Sequence, residues 1–274
     1  MDPFNCDELN YYILDPTGNI TALVESEVDI SLQPKAAEMI MKHHPEVEQV
    51  GFVRYGGNGG PDVSLRMAGG EFCGNASICA AALFLLRNQE QEGADRNDGK
   101  HSVCLSVSGI QVEVQLTGTG ENSFYARIEM PEALSIEETF IGFGSENVPV
   151  PIIRMEGISH ILIEKDSPLI TLKDDPSAAE EQLRLAGADS SCLGFLFLEE
   201  NENNTCLTPL VFVPGSDTMF WENSCASGSA AVGMYFASKK NAPVDMTMDE
   251  PGGSLRVVSR PGGPTYLYGS VSLC

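Results

Sequence analysis

Two similar segments decide how this sequence folds, and they read Phe72-Cys73-Gly74-Asn75-Ala76-Ser77 and Ser224-Cys225-Ala226-Ser227-Gly228-Ser229. In each, a cysteine is followed by small residues and then by an apolar run of helical length, at 80–86 in the first half and at 230–237 in the second. Both runs are apolar on most sides, so we expect both helices to be buried all round. A helix buried in this way within a strand-rich chain predicts a sheet wrapped around a helix.

Strand patterns dominate the rest of both halves, and glycine and proline turns separate them. The predicted strands are 11–14, 20–25, 49–54, 63–67, 103–107, 110–116 and 124–130, then 150–155, 158–163, 193–198, 207–212, 244–248, 255–259 and 266–271. Two further helices are predicted at 31–44, with Ser31 as its N-cap, and at 177–186. We therefore expect an α+β protein with domains 1–131 and 132–263, and segment 264–274 is a candidate to rejoin the first domain.

Composition excludes several classes of function. The 274 residues carry a formal net charge of −23, which argues against nucleic-acid binding. There is no pattern of a signal peptide and no apolar run near the roughly 20 residues that span a bilayer, so we expect a soluble, cytoplasmic protein with no membrane partner. Eight cysteines without a Cys-x-x-Cys pair, and four histidines that do not cluster with them along the sequence, predict neither a disulfide framework nor a metal site.

The two cysteines that precede the helices are candidates for reactive thiols. The N–H groups at a helix N-terminus stabilise a thiolate and also bind carboxylates. Small residues at Gly74-Asn75 and Ala226-Ser227 would let a ligand approach those N–H groups. An amino acid held between two such helix starts would have its α-carbon between two sulfurs, and two thiols could then racemise it without metal or cofactor. The alternative is that both cysteines only fill the core.

These motifs resemble those of the cofactor-independent racemases of the diaminopimelate epimerase type. Residues 71–76 and 222–228 look like the two cysteine signatures of that family. The resemblance covers about 10–260 and is closest to the histidine racemase branch, which supplies D-histidine for opine-type metallophores. The segments that carry this closer resemblance are 16–19, 48–52, 220–225 and 251–254.

The resemblance implies two pseudo-symmetric domains, each a β-barrel or cone around a central helix, with Cys73 and Cys225 as the acid/base pair. It implies histidine as the small-molecule substrate. It also allows a homodimer, although no residue establishes one. For Glu48, a substrate contact and a solvated charge remain equally open. The residues implied to bind substrate are Asn19, Glu48, Gly74, Asn75, Glu222, Asn223, Ala226 and Ser227.

Three positions depart from the diaminopimelate epimerase pattern. Asp217 stands where that family has an arginine for a distal carboxylate, Ser64 replaces an asparagine, and Ala226 replaces a glycine. The sequence therefore predicts a racemase that interconverts L- and D-histidine. The alternatives are a racemase of another or broader specificity, a diaminopimelate epimerase with unusual distal contacts, and a non-catalytic amino-acid binding protein. A phenazine-type isomerase is a further alternative, against which the presence of both cysteines argues.

Overall fold

The computed structural model describes residues 9–56, 59–92, 99–187, 192–200, 205–215 and 217–274. The chain divides into two compact units. The first contains the described residues up to Glu129 together with Tyr268–Cys274, and the second is Met130–Leu267. That the units are related copies stays a prediction.

The first unit is built around a closed ring of eight strands, in which each neighbour is hydrogen-bonded. In chain order the strands are β1 (Tyr11–Asp15), β2 (Thr21–Val24), β3 (Gln49–Tyr55), β4 (Val63–Met67), β5 (Lys100–Val107), β6 (Ile110–Gly120), β7 (Ser123–Met130) and β16 (Thr265–Leu273). β16 lies between β7 and β1 and closes the ring, with Leu273 opposite Leu14. The β2–β3 and β4–β5 pairs are parallel.

Two helices pack against this ring. Helix α2 (Gly74–Glu92) contacts β2, β3, β4, β5 and β6, and its small side chains let the strands approach it closely. Helix α1 (Gln33–His43) packs on β3 through Ala36, Ala37 and Ile40.

The predicted N-cap at Ser31 is wrong. Ser31 lies instead in a short 3-10 helix, Ile30–Leu32, where its backbone N–H and its hydroxyl both donate to the Asp29 carboxylate. The 3-10 turn therefore uses Asp29 as its cap, and α1 begins only after Leu32.

The described part of the second unit contains eight strands that lie wholly or mainly within it, two α-helices and the 3-10 helix Pro168–Asp174. The strands are β8 (Ser135–Phe143), β9 (Glu146–Arg154), β10 (Ile158–Glu164), β11 (Cys192–Glu200), β12 (Thr205–Val213), β13 (Thr218–Trp221), β14 (Val244–Glu250) and β15 (Gly253–Ser259). They are ordered β15-β14-β12-β11-β10-β9-β8, and β13 pairs with β12. Helix α4 (Ala226–Lys240) packs on β10, β14 and β15, while α3 (Pro176–Ala186) packs on β11 and β12.

The predicted α+β class is confirmed, and each of the predicted strands overlaps an observed one. Two strands were not predicted, β8 and β13. β8 has a single buried residue, Ile141, so it lacks the alternation that marks a half-buried strand. β13 has only four residues, all half-buried. Among the described residues, no helix is long and apolar enough to cross a membrane.

Candidate active site

Cys73 lies directly before the first residue of α2 and caps the helix. Its Sγ accepts a hydrogen bond from the Ala76 N–H at 3.3 Å. Its carbonyl oxygen accepts from both the N–H and the hydroxyl of Ser77, at 3.0 and 2.5 Å. Gly74 and Asn75 form the first turn and are buried, with Asn75 only 2% exposed. The half-buried sulfur is therefore held by the donors of the helix start.

A chain of side-chain hydrogen bonds leads from Cys73 to Glu48. The Cys73 thiol donates to Gln49 Oε1 at 2.9 Å, and Gln49 Nε2 donates to Asn19 Oδ1. Asn19 Nδ2 then donates to Glu48 Oε2 at 2.9 Å. The parallel pairing of β2 with β3, which places Thr21 opposite Gln49, brings these residues together. Asn19 and the half-buried Glu48 are thus linked to Cys73 through a glutamine that the sequence did not single out.

Cys225 is the N-cap of α4 and is 4% exposed. Its Sγ accepts from the Gly228 N–H at 3.3 Å and lies 3.6 Å from Ser227 Oγ. Burial raises the pKa of this thiol well above its ordinary value, and the charges of Glu222 and Glu250 raise it further. A thiolate-stabilising helix start was expected here. At Cys225 desolvation and two carboxylates outweigh the helix start, so the side chain rests as a thiol.

Glu250, at the end of β14, is one of these carboxylates and was not predicted from the sequence. Its Oε2 accepts from the Cys225 N–H at 2.6 Å, and its Oε1 accepts from the Ser229 hydroxyl. Burial raises the pKa of Glu250 to about 8, even though both hydrogen bonds favour the charged form. The available signal in the sequence was weak: Glu250 directly precedes segment 251–254, which carries part of the closer family resemblance.

His160 contacts Ser227 in the first turn of α4, although it is distant in sequence. Its Nε2 lies 3.0 Å from Ser227 Oγ, and its Nδ1 is buried with no hydrogen-bond partner among the described residues. The ring is completely buried, and burial lowers its pKa to about 3, so the imidazole is neutral. His160 was not singled out from the sequence, where the histidines were considered only as metal ligands. A histidine within the mostly apolar segment 158–163 was the available signal.

The remaining predicted residues of the second unit lie around the start of α4. Glu222 follows β13, and its charge acts on Cys225, while its N–H donates to the Pro209 carbonyl at 3.0 Å. Asn223 is exposed, and its carbonyl accepts from the Gly252 N–H at 2.7 Å. Ala226 is buried in the first turn of the helix.

The predicted site residues thus form two groups, one in each unit. The first group is Asn19, Glu48, Cys73, Gly74 and Asn75, and the second is Glu222, Asn223, Cys225, Ala226 and Ser227. No cluster of three or more His, Cys, Asp or Glu side chains suited to a metal ion occurs in the part of the chain that the structure describes.

Comparison with known proteins identifies the family. The model of the histidine racemase CntK N-terminal domain matches residues 8–263. The chain belongs to the histidine racemase family. It is therefore an amino-acid racemase, an isomerase that acts on a small amino-acid substrate.

Two curated relatives are similar to this racemase over most of their length. The histidine racemase of Fusobacterium nucleatum subsp. nucleatum is 31% identical over 242 residues, which cover 85% of this chain and 83% of the relative. The histidine racemase of Staphylococcus aureus is 30% identical over 249 residues, covering 90% and 86%.

A solved structure shares the fold of the racemase. A probable proline racemase from Agrobacterium radiobacter has a TM-score of 0.69 at 12% identity, covering 97% of this chain and 90% of that one. The predicted epimerase-like fold is confirmed by this likeness.

Proposed function

We propose that this racemase interconverts L- and D-histidine without a cofactor, and that Cys73 and Cys225 are its two acid/base groups. One observation carries the proposal: both cysteines cap a buried helix, and each sulfur accepts the N–H of the residue three positions later. Those donors are the N–H groups of Ala76 and Gly228, both at 3.3 Å. Two unrelated core cysteines would have no reason to share this arrangement.

The reaction needs one proton to leave the α-carbon and another to arrive on the opposite face. In one direction the Cys73 thiolate removes the α-proton, and the Cys225 thiol donates its own proton. The negative charge then rests on Cys225 instead of Cys73, and the reverse reaction exchanges the two roles. The raised pKa of Cys225 supports a resting thiol that is ready to donate. Backbone N–H groups at the two helix starts would stabilise the carboxylate as it gains enolate character.

The first turns of both helices supply the N–H groups for this carboxylate. We assign that role to Gly74 and Asn75 of α2 and to Ala226 and Ser227 of α4. All four are buried and small or short, so little side chain stands over the helix start. Glu222 and Asn223, directly before Cys225, would contact the substrate ammonium.

Histidine is favoured as the substrate by the polar chain that ends in Glu48. Asn19 and Glu48 offer an amide and a carboxylate, which can hydrogen-bond an ammonium or an imidazole. Asp217, which replaces the arginine expected for a distal carboxylate, is exposed and forms an ion pair with Arg184. A dicarboxylic substrate is thus less well supported, and the curated relatives are histidine racemases. The same proposal includes that the D-histidine is supplied for a metallophore. It also includes a homodimeric state.

Isotope exchange tests the proposal. The purified protein, incubated in D₂O without pyridoxal phosphate, is offered each of the twenty L-amino acids. We expect deuterium at Cα and loss of optical purity for histidine. A protein that only binds the amino acid would gain thermal stability from the ligand and exchange nothing.

Cysteine variants test the two-thiol assignment. Cys73→Ser and Cys225→Ser should each lose racemisation by at least about 10³-fold, because a serine hydroxyl is a far weaker acid than a thiol. Cys104→Ser is the matched control, since Cys104 is an exposed thiol on β5. It should retain full activity. Racemisation by either of the first two variants at a tenth of the original rate would refute the assignment.

A further inference from the structure

Glu250 contributes a buried carboxyl group to the start of α4 from a different element, β14. Its side chain receives the N–H of Cys225 at 2.6 Å on one oxygen and the hydroxyl of Ser229 on the other. Glu250 is 7% exposed and Ser229 is completely buried, so water does not compete for these bonds. The carboxyl group therefore fixes the backbone on which the Cys225 sulfur is mounted.

The same position makes Glu250 sensitive to the charge of the cysteine. Two negative charges within one buried first turn repel each other strongly, because the surroundings screen them poorly. The N–H of Cys225 and the hydroxyl of Ser229 bind the carboxylate, and the N–H of Gly228 binds the sulfur. These neutral donors do not cancel the repulsion between a thiolate and an ionised Glu250, so Cys225 and Glu250 together accommodate a single negative charge.

We propose that Glu250 is a positioning residue that shares one negative charge with Cys225: the charge resides on the carboxylate or on the thiolate, and not on both. This inference rests on the proposed role of Cys225 as a proton donor. When Cys225 is a thiol, Glu250 can ionise. Cys225 can therefore give its proton to the substrate when Glu250 already holds its own proton, and the resulting thiolate keeps the hydrogen bond from the Gly228 N–H.

The other titratable groups around this pair are few. Glu222 acts on both Cys225 and Glu250, and its charge opposes ionisation of either one. His160 faces Ser227 from β10 and is neutral. The pKa of Glu250, raised by burial to about 8, places its titration close to neutral pH, where the exchange of charge with Cys225 matters for activity.

Glu250→Gln tests the proposal with little change of shape. The amide oxygen can still accept from the Cys225 N–H, and the amide NH₂ can donate to Ser229, but the charge is lost. Protein labelled with ¹³Cβ-cysteine is titrated by NMR, and Cys225→Ser assigns the signal. We expect the titration midpoint of Cys225 to fall by at least one pH unit. The part of the alkaline decline of kcat/KM that follows ionisation of Glu250 near pH 8 should disappear.

Two further variants keep the result interpretable. Asp249→Asn is the matched control, because it removes a carboxylate from the next position, where Asp249 binds the Ser254 hydroxyl at 2.6 Å. It should leave the Cys225 midpoint unchanged. Ser229→Ala deprives the Glu250 carboxylate of a donor, so Glu250 stays neutral to higher pH and the Cys225 midpoint should also fall. This variant decides the question if Glu250→Gln does not fold.

An unchanged Cys225 midpoint in the folded Glu250→Gln protein would overturn the inference, and so would an equal change in Asp249→Asn. The NMR titration reads the thiol whether or not the protein racemises histidine. Failure of this inference is therefore distinguishable from failure of the proposed function, which the isotope exchange measures separately.

Discussion

Replacement of Gly228 by alanine should separate the position of the Cys225 sulfur, which we propose to be catalytic, from the stability of the helix that carries it. A Cβ at Gly228 would lie 2.7 Å from Leu196 Cδ2 and 3.1 Å from Cys225 Sγ. Carbon contacts normally settle at about 3.5–4.0 Å, so the sulfur would have to move by roughly 0.5 Å. The Gly228 N–H that binds this sulfur is retained in the variant.

The free energy of unfolding should change little. Alanine gains about 1 kcal/mol over glycine in a helix, and overpacking costs about 1–3 kcal/mol. The net loss is about 0–2 kcal/mol, which lowers Tm by up to roughly 8 °C for a protein of this size. A displacement of 1 Å at a reacting group can cost about 100-fold in rate, so we expect a loss of roughly tenfold in kcat.

Gly233→Ala is the matched control on the same helix. Its Cβ would clash with Val257 Cγ1, a stiffer β-branched neighbour. Gly233 lies about two helical turns from Cys225, so the sulfur should not be displaced. This variant should therefore lose more stability than Gly228→Ala and keep kcat within about twofold. Thermal melts and initial rates of racemisation, measured on both variants, provide the comparison. If kcat falls in proportion to the fall in Tm, and by the same proportion in both variants, the reasoning is refuted.

Three other predictions concern buried polar groups. His160 has a pKa lowered to about 3, so the unfolded chain binds the extra proton below pH 6.5, and stability should fall by about 1.4 kcal/mol per pH unit as the pH drops from 6.5 toward 3. His160→Phe should flatten this part of the Tm-against-pH curve, whereas a slope identical to the original would contradict it. Glu250 should change stability with pH in the opposite direction, because folding raises its pKa from 4.5 to about 8. Its contribution to the free energy of unfolding is complete below pH 4.5 and is lost as the pH rises through 8. Glu250→Gln should remove that loss, and melts between pH 5 and pH 9 would detect it. Gln49→Leu removes the acceptor of the Cys73 thiol and a donor to Asn19, so it should cost about 1–3 kcal/mol of stability and lower kcat. Denaturant titration and rate assays would measure the two effects. Full retention of rate would rule out a role for Gln49.

The sequence predicts most of the fold because its signals are local. The apolar runs after Cys73 and Cys225 extend almost all round their helices, and this pattern alone indicates burial. Alternation identified the strands wherever one face is buried. β8 was not predicted because only one of its residues, Ile141, is buried. The start of α1 was misplaced because Asp29 competes with Ser31 as a cap.

The candidate site was predictable only in part. The cysteines stand in recognisable segments, but the residues that surround them are far apart in sequence. Gln49 reaches Cys73, Glu250 reaches Cys225 and His160 reaches Ser227 because their strands pack against the two helices. The raised pKa of Cys225 was likewise not predictable from the sequence. A helix start favours a thiolate, but the burial and the carboxylates that reverse this preference at Cys225 depend on neighbouring strands.

The position of β16 sets the order of events during synthesis on the ribosome. Leu273 pairs with Leu14, so the ring of the first unit cannot close until residue 273 has emerged. At about 5–20 residues per second, the stretch between β7 and that residue takes roughly ten seconds or more to translate. Throughout that interval β1 and β7 present bare edges, which other nascent chains can add to. We therefore expect yield in the cell to depend on protection of these edges during translation as well as on the stability of the finished enzyme.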